Sequence, residues 1–217
     1  MKFNLFGRIV AGFGLLAASP LLAVCALAIY FGDRGPFLFR QRRIGAGGKP
    51  FVLLKLRSMT VASRGTSITA GGDSRITTVG KLLRDFKLDE LPQLWNVLRG
   101  DMNFIGPRPE VPEYVDMSDP RWRAVLSVRP GITDLASLML RHEERLLAGH
   151  EDVDKFYRER LLPKKLEISS HYAQTRSTLK DAQLIALTLK SIVKRGELNE
   201  QDIAKQFCYG GILTWQK

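Results

Sequence analysis

The chain is poor in cysteine and has no compositional bias of the kind that marks fibrous or disordered proteins. Its 217 residues include 2 Cys, 10 Pro and 19 Gly. The two cysteines, Cys25 and Cys208, lie near opposite ends of the sequence, which excludes a small disulfide-bonded scaffold. With 45% hydrophobic and 25% charged residues, the composition also excludes intrinsic disorder and a collagen-like repeat. The sequence therefore describes a folded protein of one or two domains.

Charge is absent from one long segment near the N-terminus. The 23 residues from Ile9 to Phe31 carry none, and about 20 apolar residues suffice to cross a hydrocarbon core of about 30 Å. A cleaved signal peptide is the alternative, because Lys2 and Arg8 precede the segment and Ala26-Leu27-Ala28 resembles a cleavage site. The apolar run is longer than the usual signal-peptide core of about 7–15 residues. We therefore predict a retained membrane segment, with residues 1–33 as a membrane unit and residues 34–217 as a separate domain.

Ser19-Pro20 interrupts this segment near its middle. Proline removes a backbone N–H and crowds the preceding turn, which predicts a kink. Both flanks are basic, with Lys2 and Arg8 before the segment and Arg34, Arg40, Arg42, Arg43 and Lys49 after it. The positive-inside rule therefore does not separate the two ends. A helix that bends at Ser19-Pro20 and returns to the same face, with the serine hydroxyl satisfying a freed carbonyl, is about as well favoured as a kinked spanning helix. Of the two we predict the re-entrant form.

The rest of the chain carries most of the positive charge. Residues 32–217 hold 31 basic and 22 acidic residues, which gives +9 of the total net charge of +11. This excess favours anionic partners such as nucleic acid, phosphorylated metabolites or an acidic membrane. Residues 37–39 and 51–54 predict short strands around the glycine-rich turn at 45–50. Because this turn lacks the glycine and lysine spacing of a phosphate-binding P-loop, a β-hairpin is the better interpretation.

Two helices are predicted in the middle of the chain. Residues 60–78, rich in Ser, Thr and Gly, predict a surface loop, and the stretch from Val79 to Leu88 predicts a helix after it. The stretch from Leu88 to Gly100 predicts a second helix, since acidic residues and a proline occupy its first turn and Arg and Gly mark its end. Taken alone, Asp89 and Glu90 at its start would be a favourable interaction with the helix dipole.

The second half of the chain contains two turns and two further helices. Gly106-Pro107-Arg108-Pro109 predicts a rigid turn that presents Arg108, whose guanidinium suits phosphate recognition. Residues 128–133 predict another turn. Residues 152–162 and 179–195 have apolar residues at three- and four-residue spacing and predict helices that pack on a core. The second of these also fits a helix on a membrane surface, because Lys and Arg accompany its apolar residues.

In this order the motifs resemble those of the bacterial sugar transferase family, the monotopic phosphoglycosyl transferases. The matching pieces are the apolar segment with Ser19-Pro20, GPFLFRQRRIG at 35–45, KLRSM at 55–59, LLRDFKLDELPQLWNVLRGDMNFIGPRPE at 82–110 and RPGIT at 129–133. The signal is specific because DELPQLWNVLRGDM and IGPRP occur together at the family's spacing. Residues 134–151 depart from the family, which usually has Gly-Leu-Ala-Gln after the threonine.

The resemblance implies a fold and an activity. It implies a mostly helical α/β protein, monotopic in the bacterial inner membrane, whose domain on the cytoplasmic face contains a small β-hairpin. It implies transfer of a sugar 1-phosphate from a nucleotide diphosphate sugar, first of all a UDP-sugar, to a polyprenol phosphate such as undecaprenyl phosphate, with release of UMP. That reaction is the first membrane step of bacterial glycoconjugate assembly.

The resemblance also implies site residues. Asp89 would be the nucleophile, giving a covalent phosphosugar intermediate, and would also contact Mg²⁺, while Glu90 would assist through metal or proton handling. A carboxylate can attack a phosphoryl group to form an acyl phosphate. Since both substrates are anionic, Mg²⁺ and basic side chains have to offset the charge. Lys55, Arg84 and Arg108 match the family's phosphate-binding positions.

Each basic residue has a simpler interpretation. Taken alone, Lys55 and Arg84 are solvated surface charges, and Arg108 closes a turn; the family match favours phosphate binding. Three other arginines, Arg42, Arg43 and Arg57, also fit contacts with anionic lipid headgroups, at about 1 kcal/mol per basic residue.

Two rival functions are weaker. A membrane-anchored nucleic-acid-binding protein fits the charge, but the basic residues are dispersed and no nucleic-acid motif is present, so we expect no nucleic acid among the partners. A non-catalytic scaffold is disfavoured because Arg84, Asp89, Glu90 and Arg108 are all retained. The sequence leaves the transferred sugar open, and it neither requires nor excludes a homodimer.

Overall fold

The computed structural model describes residues 5–61, 68–193 and 200–210. Within these residues the protein is mostly helical, with two small two-stranded sheets. The helices are α1 Leu5–Asp33, α2 Thr78–Asp85, α3 Gln93–Arg99, α4 Pro120–Leu126, α5 Leu135–Met139, α6 Glu143–Leu147, α7 Val153–Phe156, α8 Leu162–Thr175, α9 Thr178–Val193 and α10 Glu200–Gln206, and the strands are β1 Leu38–Ile44, β2 Pro50–Leu56, β3 Asn103–Ile105 and β4 Gly131–Thr133. The prediction of a mostly helical α/β protein is confirmed.

Helix α1 contains the apolar segment. It has 29 residues, which corresponds to about 43 Å of helix at 1.5 Å per residue. Its most apolar window has a mean hydropathy of 2.2, and only 11% of that window is buried against the protein. Large side chains such as Phe13, Leu16 and Phe31 are exposed. The helix is therefore long and apolar enough to insert in a membrane.

Ser19 and Pro20 lie inside α1, and the helix continues through them from Leu5 to Asp33. Pro20 has no N–H to donate to the carbonyl of Leu16, its partner one turn earlier. The Ser19 hydroxyl donates to that carbonyl instead, at 2.7 Å. The expected compensation by serine is confirmed. The Ser19 hydroxyl takes the place of the N–H that Pro20 lacks, and the helix does not end at these residues. The re-entrant path stays a prediction.

Both ends of α1 pack on the domain that follows. Two hydrophobic clusters join them: Ala11 with Leu53, Val97 and Met102 near the N-terminal end, and Cys25 and Ile29 with Leu56 and Leu83 near the C-terminal end. Arg8 Nε donates to the carbonyl of Leu98 at 2.6 Å, and Arg57 Nη2 donates to the carbonyl of Asp33 at 2.9 Å. Arg57 is buried, so it fastens the helix end and does not face lipid headgroups.

The predicted hairpin is confirmed, with longer strands than the sequence indicates. Strands β1 and β2 pair antiparallel from Leu38 opposite Leu56 to Ile44 opposite Pro50. The turn between them is possible because Gly47 and Gly48 have positive φ angles of 67° and 74°, which glycine adopts without strain. The second sheet, in which β3 and β4 pair in parallel, was not predicted.

The predicted helix at 88–100 is two separate elements. Leu88–Glu90 forms a 3₁₀ turn, and α3 begins only at Gln93 and ends before Gly100, whose φ is 90°. Pro92 cannot donate a backbone hydrogen bond to Leu88, so α-helical bonding starts after it. Asp89 and Glu90 consequently lie in a turn of their own, in which Asp89 is buried, and not in the first turn of a helix. Helix α2 is close to its predicted range, since it starts at Thr78 and ends at Asp85.

The C-terminal helices form the largest hydrophobic core. The helix predicted at 152–162 is observed as α7, a π-helical turn at Tyr157–Leu161, and α8. In α9, Leu184 is fully buried, whereas Leu179, Ile185 and Leu189 are exposed. Core packing is thus confirmed for one face of α9, and a membrane-surface role for its other face stays a prediction. Lys2, residues 62–67 of the predicted loop and residues 194–195 of the predicted helix lie outside the described residues.

Candidate active site

The turn that carries Asp89 and Glu90 follows directly after the C-terminal end of α2, which sets its position. Lys87 has a left-handed backbone conformation with φ 54°, which reverses the chain directly after α2. The turn Leu88–Glu90 then lies against strand β2 and helix α2. Because β2 carries Lys55, this reversal brings a basic side chain from the hairpin next to Asp89 and Glu90.

Glu90 is held by two cations. Arg108 Nη2 donates to Glu90 Oε1 at 2.7 Å, and Lys55 Nζ donates to the same oxygen at 3.4 Å. Burial would raise the pKa of Glu90, but the positive charges of Arg108 and Lys55 outweigh burial and hold it far below its usual range. Glu90 in turn raises the pKa of Arg108. Glu90 is therefore ionised throughout the physiological pH range and fixes the positions of both cations.

Asp89 has a different environment from its neighbour. It is only 6% exposed, and within the described part of the chain no hydrogen bond to its carboxylate is found. Burial raises the pKa of Asp89 and Glu90 adds to that effect, while Lys55 and Arg84 act against it. Its oxygens are therefore desolvated but close to positive charge, which suits a carboxylate that has to react or bind a metal.

Lys55 is positioned through the hairpin and through α3. Burial and the Arg108 guanidinium lower the pKa of Lys55, and Glu90 and Asp89 partly restore it. The side chain of Asn96 hydrogen-bonds to the backbone of strand β2: it donates to the carbonyl of Val52 at 2.7 Å and accepts from the N–H of Leu54 at 3.1 Å. Asn96 is 1% exposed. Sequence reasoning missed this role; the signal was an amide on the apolar face of α3.

Arg108 belongs to the turn at 106–109, which packs closely against the turn at 128–133. The two backbones meet at Gly106 and Gly131. A Cβ on Gly131 would lie 2.1 Å from the nitrogen of Gly106, and a Cβ on Gly106 would lie 2.3 Å from the carbonyl oxygen of Arg129. Only glycine permits this approach. Gly131 N also donates to the carbonyl of Pro107 at 3.1 Å. The motifs IGPRP and RPGIT are therefore parts of one structure, which explains why they occur together.

The back of the Arg108 turn is held by a buried polar cluster that sequence reasoning did not find. Arg43 Nη1 donates to the carbonyl of Pro109 at 2.9 Å and lies 3.5 Å from Glu110 Oε2. The hydroxyl of Tyr157 donates to Glu110 Oε1 at 2.6 Å. Arg43 thus supports the turn that presents Arg108, which corrects the interpretation of Arg43 as a lipid contact.

Arg84 is near the dyad but has a partner elsewhere. It lies on α2, close enough to Asp89 to lower its pKa. Its Nη2 donates to Glu144 Oε1 on α6, within the segment that departs from the family. The structure therefore brings Lys55, Asp89, Glu90 and Arg108 together and leaves Arg84 at the border of this group, while their roles stay predictions.

The side chains that could ligate a metal ion determine what kind of metal site the protein can form. The described residues contain no group of three or more His, Cys, Asp or Glu side chains arranged to hold a metal. Mg²⁺ in phosphate-binding enzymes commonly uses one or two carboxylates together with substrate phosphates and water. One Glu90 oxygen is already bonded to Lys55 and Arg108, whereas neither oxygen of Asp89 has a hydrogen bond within the described part of the chain, so Asp89 is the carboxylate better placed to bind an ion. The residues fit an ion shared with a substrate phosphate and do not form an all-protein cage.

Comparison with known proteins decides the family. A family model described as bacterial sugar transferase matches residues 2–195. The chain belongs to the bacterial sugar transferase family. The resemblance drawn from the motifs is thereby confirmed.

Three relatives indicate what members of this family do. The UDP-glucose:undecaprenyl-phosphate glucose-1-phosphate transferase of Caulobacter vibrioides is 39% identical over 81% of this chain and 63% of its own length. The UDP-N-acetylgalactosamine-undecaprenyl-phosphate N-acetylgalactosaminephosphotransferase of Aeromonas hydrophila is 40% identical over 62% of this chain and 35% of its own length. The exopolysaccharide production protein ExoY of Sinorhizobium fredii is 31% identical over 86% of this chain and 83% of its own length. The chain thus spans less than two thirds of the first two relatives.

Proposed function

We propose that the protein transfers a sugar 1-phosphate from a UDP-sugar to undecaprenyl phosphate or a similar polyprenol phosphate, releasing UMP. The observation that carries this proposal is the buried Asp89 beside a Glu90 that fixes Lys55 and Arg108. The names of the Caulobacter and Aeromonas relatives support the donor and acceptor classes. The product, a lipid-linked sugar diphosphate, would enter bacterial glycoconjugate assembly at its first membrane step.

The transfer takes two displacements at the same phosphorus. Asp89 attacks the donor phosphorus that carries the sugar, the bond to the bridging oxygen breaks, and UMP leaves with that oxygen. An oxygen of the polyprenol phosphate then attacks the resulting acyl phosphate, which releases the Asp89 carboxylate and forms the lipid diphosphate sugar. Splitting the transfer in this way is the usual advantage of a covalent nucleophile.

The surrounding charges support both displacements. Arg108 and Lys55 are already fixed by Glu90 at 2.7 and 3.4 Å, so they need little rearrangement to meet negative charge that develops on the phosphoryl oxygens. We assign Glu90 to this positioning role because it stays ionised. When bound by Asp89 and the donor phosphates, Mg²⁺ would further offset the charge of the diphosphate.

The contacts of α1 support a re-entrant membrane helix. Arg8 bonds to the domain near one end of α1 and Asp33 bonds to it at the other, which favours the same membrane face for both ends. We propose that this face is the cytoplasmic face of the inner membrane. The placement has a chemical reason: the donor is soluble, whereas the acceptor is held in the bilayer by its tail, so the phosphates meet at the interface.

The covalent step is tested with donor alone. Incubation with UDP-glucose or UDP-N-acetylgalactosamine labelled in the sugar, without acceptor, should leave a labelled phosphosugar on Asp89 and release an equal amount of UMP. Asp89→Asn should form no adduct and transfer no sugar. Asp85→Asn, which removes the same charge from an exposed position on α2, is the matched control and should behave as wild type. An Asp89→Asn enzyme with full transfer activity would refute the assignment.

The donor is identified with a panel of UDP-sugars and polyprenol phosphate, with UMP release as the readout. Activity is expected with at least one UDP-sugar and should disappear when Mg²⁺ is removed by a chelator. Failure of every nucleotide sugar to release a nucleoside monophosphate would contradict the proposed reaction.

A further inference from the structure

The contact between Arg84 and Glu144 links the border of the site to the segment that departs from the family. Arg84 Nη2 donates to Glu144 Oε1, and 60 residues separate the two in sequence. The Arg84 side chain is 24% exposed and that of Glu144 is 46% exposed. The pair is therefore accessible to a ligand that approaches from solvent.

Glu144 is held over Arg84 by its backbone. The N–H of Gly71 donates to the carbonyl of Glu144 at 2.7 Å, and a Cβ on Gly71 would lie only 3.1 Å from that oxygen. Three residues further along, Leu147 is 1% exposed and anchors α6 in the main core. With the start and the end of α6 both fixed, the carboxylate of Glu144 remains near Arg84 even though its own side chain is half exposed.

A carboxylate and a phosphate compete for the same guanidinium. Both accept hydrogen bonds from the N–H groups of arginine in the same fork geometry. The donor phosphate that Asp89 attacks has to lie beside Asp89, and Arg84 lies in the last turn of α2, the helix that packs against the turn Leu88–Glu90. A donor diphosphate in this position therefore meets an Arg84 that Glu144 already occupies.

We propose that Glu144 sets the affinity for the donor by occupying Arg84 until the donor diphosphate displaces it. The role rests on the proposed function, since it requires a nucleotide diphosphate substrate. Breaking an exposed ion pair of this kind reduces binding by about two- to fivefold. Glu144 is thus an affinity-determining residue that touches neither the reacting atoms nor Asp89, and it is supplied by the segment at 134–151.

The test measures UMP release against the concentration of UDP-glucose and of UDP-N-acetylgalactosamine. Glu144→Gln should lower the KM for the active donor about two- to fivefold and leave kcat unchanged. Glu151→Gln removes the same charge from an exposed position of the same segment and should leave KM at the wild-type value. An equal decrease of KM in both variants would overturn the proposal, because it would reflect net charge alone.

A double-mutant cycle shows whether Glu144 acts on donor affinity through Arg84 or through a general effect on the protein. In an Arg84→Gln background, Glu144→Gln should no longer change KM, because the cation that it occupies is gone. An unchanged KM in the single Glu144→Gln variant overturns the role of Glu144. A raised KM also overturns it, because Glu144 would then orient Arg84 for the donor. If wild-type protein releases no UMP from either donor, the proposed function fails with it, whereas release with an unchanged KM refutes only the role of Glu144.

Discussion

At the scale of single residues, Asp89 and Glu90 are neighbours in the chain whose pKa values move in opposite directions. Burial raises the pKa of Asp89, whereas Arg108 and Lys55 overcome the effect of burial on Glu90 and lower its pKa. The difference arises because both cations bond to one oxygen of Glu90. One carboxylate therefore holds the two cations, and the other has no hydrogen bond within the described residues, as the proposed nucleophile requires.

This contrast predicts opposite effects of two isosteric substitutions on stability. For Asp89, the folded state holds a proton more tightly than the unfolded state, so its contribution to stability falls as the pH rises from about 3.9 through the raised pKa. Asp89→Asn removes that unfavourable charge and should increase the free energy of unfolding at pH 7. For Glu90, stabilisation is present above about 4.3 and is lost as the pH falls toward the lowered pKa.

Glu90→Gln should accordingly reduce the free energy of unfolding at pH 7, on the order of 3 kcal/mol, because two largely buried cations lose their counter-charge. Denaturant unfolding of wild type, Asp89→Asn and Glu90→Gln in the same detergent measures both effects. Asp85→Asn, at an exposed position, controls for loss of a charge. A shift of both variants in the same direction would contradict the electrostatic account of the dyad.

At the scale of elements, the sequence located the hairpin and the helices α1, α2 and α9 to within a few residues, whereas α4, α5, α6, α10, β3 and β4 were not predicted. The short apolar runs of the hairpin and its glycine-rich turn are local signals, and β1 and β2 form around them. The helix predicted over 88–100 failed because Lys87 takes a left-handed conformation and Pro92 delays the start of α3. The β3–β4 pair escaped prediction because each strand has only three residues, which is too short for a periodic pattern.

Helix α1 allows a test of the compensation between Ser19 and Pro20. Ser19→Ala leaves the carbonyl of Leu16 without its side-chain donor and should lower the stability of the protein by about 1 kcal/mol. In a Pro20→Ala background the new backbone N–H at position 20 can donate to Leu16, so Ser19→Ala should cost much less there. Unfolding in detergent of the wild type, both single variants and the double variant measures this coupling. Equal losses in both backgrounds would show that the serine does not replace the missing proline hydrogen bond.

At the scale of the whole molecule, α1 is joined to the domain near each of its ends. Arg8 bonds to α3 through Leu98, and Arg57 of the KLRSM motif bonds to Asp33. Both ends of this helix of 29 residues therefore lie beside one domain, which is the arrangement that the proposed re-entrant path requires. A helix that crossed the membrane would have to break the contact at Arg8.

Cysteine labelling tests that topology. Leu5 precedes Arg8 and is 62% exposed, so Leu5→Cys in a Cys208→Ser background should report the side of the N-terminal end. Exposed Cys208 in the wild type reports the side of the domain, and Cys25 is buried. With a membrane-impermeant maleimide on intact bacterial cells, both positions should stay unlabelled and should react together after permeabilisation. Labelling of Leu5→Cys in intact cells while Cys208 stays protected would establish a spanning helix and contradict the re-entrant proposal.

The sequence by itself determined the membrane-compatible helix, the hairpin and the family. Each of these depends on residues that are contiguous or regularly spaced, and an uncharged run of 23 residues is apolar whatever packs against it. Only the tertiary structure decided which charges meet. Glu90 bonds to residues 18 and 35 positions away, and Arg84 bonds to Glu144 at a separation of 60. Such pairs depend on how α2, β2 and α6 pack, because packing sets the direction of each side chain. The composition of the chain and the spacing of its motifs do not reveal that packing.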